Sequence, residues 1–180
     1  TERIVIAWHC PAFRRNPKAS TPTPMDNANA LLDIYKDKNL PVTIWSGHNH
    51  IAETVTVPRS DMTVTEYTHP AVCGAWWYFP LCHDGAPATF TRYDFSGGTI
   101  TNRRSVNFSD ENEQYYRVYN SGQKNVEGKS VVRINVWDWH STWKIACREN
   151  GVTVPASQLK AVNVYDDRYV AVHEACGNGI

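Results

Sequence analysis

The segment Trp45-Ser46-Gly47-His48-Asn49-His50 sets two imidazoles two positions apart, directly after a glycine, at the end of the apolar run Pro41-Val42-Thr43-Ile44-Trp45. An earlier apolar run, Ile4-Val5-Ile6-Ala7-Trp8, also ends in a histidine, His9. Imidazole nitrogens are good ligands for borderline divalent cations such as zinc, manganese or iron. In layered α/β domains ligands bind beyond the carboxyl ends of the strands. If the two runs are neighbouring strands, His9, His48 and His50 converge on one edge as metal ligands. An extended stretch at 48–50 would turn both rings to the same side, about 7 Å apart at Cα. That span suits one ion, or one each of two ions about 3.5–4 Å apart. Gly47 is expected to let the backbone turn tightly and approach the metal. A single structural zinc on His48 and His50 is the plainer use of the same pair.

Such an edge needs strands and a crossover. Residues 3–8 and 41–46 are short β-branched runs of the buried-strand type. Between them, residues 10–25 hold Pro11, Pro17, Pro22 and Pro24 and read as a loop, either a lid over the metal edge or only a long crossover. Residues 26–38 place Ala28, Leu31, Leu32 and Tyr35 at helical spacing, with Asp26 as a cap. Strand, helix, strand is the unit of a layered α/β domain. The alternating runs 51–57 and 62–67, split by Pro-Arg-Ser, predict two antiparallel strands.

From about residue 75 no helical stripe is visible. Aromatic and β-branched runs (WWYF, ATFTRYDF, QYYRVY, SVVRINVWDW, TWKIAC, KAVNVY) alternate with turn signals at 84–85, 96–98, 120–122 and 150–151. This predicts an all-β region. The boundary falls near residue 74, giving domains 1–74 and 75–180.

Lys plus Arg and Asp plus Glu both number 18, a balance that argues against a nucleic-acid groove or a polybasic membrane patch. No run approaches the roughly 20 apolar residues of a membrane helix. The five cysteines contain no CxxC pair, which argues against a zinc ribbon. Cys73 and Cys82 are either a small-loop disulfide or, the reading preferred, buried thiols. A strand-like run almost at Thr1 leads us to expect a fragment.

Strand–His, then helix, then strand–GHxH resembles the end of the calcineurin-like metallophosphoesterases, whose full pattern is DxH, GDxxD, GNH(D/E), a lone His, then GHxH. His9 matches the lone His and Gly47-His48-Asn49-His50 matches GHxH. CGAWW (73–77), HDGAP (83–87) and VVRINVWDWHSTWKI (131–145) resemble the C-terminal β-domain of one bacterial subgroup of that family. The resemblance implies a partial four-layer αββα sandwich, an α/β fold, followed by an all-β accessory domain. It implies a phosphoester substrate and two divalent metal ions, with His9 and His48 on one and His50 on the other, and a water activated between them. It also implies an extracytoplasmic, periplasmic location. DxH, GDxxD and GNH(D/E) are missing ahead of His9. The expectation is therefore weak or absent metal binding and little activity without the N-terminal part of the same protein. Asp138-Trp139-His140 is a DxH, but it follows GHxH and is read as part of the β-domain.

Bland readings stand beside these. His69 and His83 are expected to be structural or exposed. Trp76 and Trp77 suit a core and an interdomain contact better than a stacking platform. Trp137, Trp139 and Trp143 mark one sheet face in a core. Asp84-Gly85 is a hairpin turn, and Arg103-Arg104 a solvated loop. The alternative function is a non-catalytic carbohydrate- or protein-binding β-module with a decayed phosphoesterase remnant.

Overall fold

The computed structural model describes residues 2–15, 27–72, 81–82, 84–108, 115–120, 122–140 and 142–176. Much of the Pro-rich loop, Asp26, Cys73, Trp76, Trp77 and His83 lie outside the described residues. The chain is mixed α/β, with mostly small sheets and few helices.

The first part holds β1 (Ile4–Ala7), α1 (Ala28–Asp33), β2 (Val42–Ser46), β3 (Glu53–Pro58) and β4 (Thr63–Thr68). They form a four-stranded sheet in the order β1-β2-β4-β3. β1, β2 and β4 run parallel, and β3 returns antiparallel to β4. The expected single helix is two pieces, α1 and a 3-10 turn at Lys36–Lys38 that ends on left-handed Asn39. Leu32 of α1 packs with Val42, Ile44, Met62 and Val64, flanked by Ile4, Ile6, Trp8, Phe13 and Tyr35. Arg59, in the β3–β4 turn, pairs with Asp33 and so clips that turn to α1.

Strand parity puts Val64 and Glu66 on the same buried face. Glu66 is fully buried. Its carboxylate accepts from the Ala12 amide at 2.9 and 3.0 Å, the Phe13 amide at 2.7 Å and Trp8 Nε1 at 3.3 Å. Buried polar groups need such partners. Glu66 thus ties the segment that follows β1 down onto the sheet.

On the opposite face, Trp45 and Tyr67 meet Tyr93, with ring centroids 4.8 and 5.8 Å away. Tyr93 belongs to the hairpin of β5 (Thr89–Ser96) and β6 (Thr99–Asn107), turned at 97–98. Arg103-Arg104 are therefore strand residues, not a solvated loop. Arg103 lies over the Tyr67 ring at 4.4 Å and pairs with Asp138. Two more antiparallel pairs follow: β7 (Tyr116–Tyr119) with β8 (Arg133–Val136), and β9 (Arg148–Glu149) with β10 (Val152–Thr153).

The all-β expectation fails at the end, where α2 spans Asp167–Ala175. Asp166 caps it, accepting from the Arg168 and Tyr169 amides. The Asp166 carboxylate also accepts from Tyr119 Oη at 2.8 Å and Asn135 Nδ2 at 2.7 Å. The expected strands in TWKIAC and KAVNVY are irregular. Of the three tryptophans expected on one core face, Trp137 is buried, while Trp143 is 37% exposed and beyond the end of β8.

Asp84-Gly85 is a tight turn between the bridged residues Leu81 and Pro87. Gly85 has φ +77, and a Cβ there would overlap the Asp166 carboxylate, so both conformation and space require glycine. The Asp84 carboxylate accepts from the Ala86 amide at 3.0 Å and the Ala52 amide at 2.7 Å. Among the described residues no helix is long and apolar enough to cross a membrane.

Two outcomes are expected. Glu66→Ala strands the Ala12 and Phe13 amides. At about 1–3 kcal/mol for each buried donor, denaturant unfolding should show a loss of about 3 kcal/mol or more. The second concerns Asp84, whose pKa burial pushes up from 3.8 to about 6. Its neutral form favours the fold below pH 4, and that contribution is lost as pH rises through 6. The stability of Asp84→Asn relative to the parent should therefore climb between pH 4 and 6.5, by at most about 3 kcal/mol. A flat difference would contradict this.

Candidate metal-binding edge

The parallel register of β1 and β2 pairs Ala7 with Trp45. The ladder continues past both strands: the Trp8 amide donates to Trp45 O at 3.0 Å, and the Gly47 amide donates to His9 O at 3.0 Å. His9 therefore stands opposite Gly47. Alternation sends Trp8 toward the core and leaves His9 exposed.

The 47–50 stretch is not extended. The Asn49 amide donates to Gly47 O at 2.7 Å, closing a three-residue turn on His48, whose φ is +63. His50 also has a positive φ, +53. The left-handed conformation falls on these histidines and not on Gly47. A Cβ at Gly47 would come no closer than 4.0 Å, to His9 O, so neither strain nor crowding demands glycine there. Non-glycine residues held at positive φ cost of order 1–3 kcal/mol and cluster at functional positions.

The turn brings His48 Nδ1 within 2.9 Å of His9 Nε2, with the rings edge-on at 4.8 Å. Two imidazole nitrogens on one tetrahedral zinc stand about 3.3 Å apart, given Zn–N bonds of about 2.0–2.1 Å. The exposed rings need to part by only a few tenths of an ångström. Cys10 joins them: one ligand atom from each of His9, Cys10 and His48 lies within 4.8 Å of the others. His50 is not a member of this group, and neither is any described carboxylate. The residues present fit one ion, and His50 stands apart from it.

His69 follows β4 and so ends the third parallel strand. Its Nδ1 lies 2.9 Å from Ser46 O, a carbonyl that only accepts, so Nδ1 carries the proton. Nε2 then accepts from Tyr93 Oη at 2.8 Å. Both nitrogens are engaged, and burial holds the ring below the ordinary histidine pKa, hence neutral. Its role is structural. Asp138 accepts from Thr54 Oγ1 and pairs with Arg103, while His140 Nδ1 lies 2.8 Å from Thr142 Oγ1. Asp138 and His140 thereby make contacts to β3, β6 and the segment that follows.

Beyond His50 the chain is pinned twice. The Ala52 amide donates to Asp84, and the Asp138 amide donates to Ala52 O at 3.2 Å. Residues from the later sequence thus hold the exit of the histidine loop. Glu66 and Cys10 were not singled out from the sequence as site residues, and Asp84 only as part of a hairpin turn. Parity within MTVTEY was the available signal for Glu66, and adjacency to His9 the one for Cys10.

A family model described as the C terminal of calcineurin-like phosphoesterase matches residues 66–178, more than half of the chain. The chain belongs to the calcineurin-like phosphoesterase family. The match starts at Glu66, so His9, His48 and His50 precede it. No curated protein and no solved structure matches the chain.

His48→Gly should keep or raise stability by up to about 1 kcal/mol, because glycine accepts positive φ without strain. The same change should weaken zinc binding measured by calorimetry. A large loss of stability would show that the imidazole is there to hold the fold.

Proposed function

We propose that this chain carries the histidine wall of a bimetallic phosphoesterase centre. The observation that carries the reading is the 2.9 Å approach of His9 and His48 beyond the ends of two parallel strands, in a chain of the calcineurin-like family. Residues 1–74 are read as the back of a four-layer αββα catalytic domain, and residues 75–180 as an accessory β-rich domain. His9 and His48 would hold one divalent ion and His50 a second. Bound metals supply Lewis-acid charge and an activated water for attack on a phosphoester.

This chain's own residues set the donors. β1 and β2 aim the two imidazoles. Glu66 fixes the segment after His9, and Asp84 fixes the segment after His50. Imidazoles are neutral, so two dications at this edge need carboxylates as well. DxH, GDxxD and GNH(D/E) do not occur ahead of His9. The acidic ligands are therefore assigned to chain outside these 180 residues. The binding-module alternative rested on the aromatic content of the later sequence, and the family match does not favour it.

The purified 180-residue chain is expected to hydrolyse p-nitrophenyl phosphate at background rate with zinc or manganese. A polypeptide that also carries the three acidic motifs should turn over, and His48→Ala should reduce that turnover by about a hundredfold or more. Robust metal-dependent turnover by the short chain would overturn the need for the acidic ligands. Activity of the longer chain unaffected by His48→Ala would overturn the histidine wall.

A further inference from the structure

We propose that Cys10 is a metal ligand, forming with His9 and His48 a three-ligand site for a single soft divalent cation, zinc first among them. The inference rests on reading this edge as metal-binding. It adds a donor that the lone-His and GHxH pattern does not contain, and it gives this chain a site complete without the acidic motifs.

The three ligand atoms already lie within 4.8 Å of one another. Around tetrahedral zinc, bonds of about 2.0–2.1 Å to nitrogen and 2.3 Å to sulfur set ligand atoms about 3.3–3.7 Å apart. The His9–His48 approach of 2.9 Å is slightly short of that range and the 4.8 Å limit of the group exceeds it by about 1 Å, so small side-chain adjustments bring the three atoms to it. The frame is rigid on both sides of Cys10. His9 O accepts from Gly47 at 3.0 Å, and the Ala12 amide is held by Glu66 at 2.9 Å. Between these anchors lie only Cys10 and Pro11, whose ring restricts the backbone further. His48 is held by its three-residue turn. Preorganisation of this kind lowers the entropy lost on binding.

The donor set also selects the ion. Thiolate and imidazole together favour zinc or cobalt, while manganese and magnesium prefer oxygen. Binding releases one proton: the Cys10 thiol loses it, and an Sγ–metal bond forms in its place. The thiolate supplies one negative charge where no described carboxylate joins the group. The His9–His48 hydrogen bond gives way to two nitrogen–metal bonds. His9 and His48 are exposed, so a fourth position faces solvent.

Cobalt(II) titration of the purified chain, followed by zinc competition, tests this. One equivalent should bind with a thiolate-to-cobalt charge-transfer absorption in the near ultraviolet. Cys10→Ser should abolish that absorption and weaken zinc binding by about tenfold or more, with an unchanged far-ultraviolet dichroism spectrum. Cys147→Ser and Cys176→Ser should retain the band. Cobalt bound with visible bands lost in His9→Ala, yet with no charge-transfer absorption, would overturn the role of Cys10 and leave the histidine wall standing. Absence of any binding by this chain would overturn the Cys10 site, while the histidine wall is decided by the His48→Ala test in the longer chain. A band that survives Cys10→Ser would place the thiolate elsewhere and overturn the assignment.

Discussion

Parallel pairing between Ile4–Ala7 and Val42–Ser46 is the constraint from which the site follows. It runs one step beyond the strands on each side, so that His9 and Gly47 share a backbone hydrogen bond. Without that register, a histidine ending one apolar run and another two residues past the next would have no reason to meet. The pairing is itself secured from below. Ile4, Ile6 and Trp8 pack on a core of Leu32, Val42, Ile44 and Val64, and Glu66 gathers the amides after the first strand. A slip of one residue would turn His9 inward and Trp8 outward.

The later sequence is joined to this sheet through polar and aromatic contacts. Tyr93 sits between Trp45 and Tyr67 and also hydrogen-bonds His69. Asp84 and Asp138 grip the chain just after His50. Asp166 in turn accepts from Asn135, whose amide also donates to Asp84 O at 2.7 Å. A continuous set of contacts therefore leads from the N-cap of the final helix to the exit of the histidine loop. This gives the family-matched region a physical part in the site, although it contains none of the three histidines.

The first sheet was legible in the sequence because each strand carries its own signal. β-branched runs bounded by Pro, Gly and Asn mark β1 and β2, and alternation marks β3 and β4. The turn at 84–85 and the hairpin at 96–98 followed from glycine in the same way. What was hidden depends on partners distant in sequence. Val162 and Val164 alternate as in a strand, yet they are 67% and 57% exposed, and among the described residues no strand pairs with them. The final helix buries none of its residues, so it shows no apolar stripe. Its mark was the capping Asp166, which reads from sequence only as half of an acidic pair. The left-handed conformations of His48 and His50 carry no sequence signal at all. Extended geometry was the natural expectation there, and the positive φ of both histidines departs from it.

The central claim is that His9 and His48, presented by adjacent parallel strands, hold one metal ion. A crystal structure of the chain grown with zinc tests it most directly. The account predicts an ion about 2.0–2.1 Å from a ring nitrogen of each histidine, with β1 and β2 in the register described. Zinc bound elsewhere, with the rings of His9 and His48 turned apart, would contradict it.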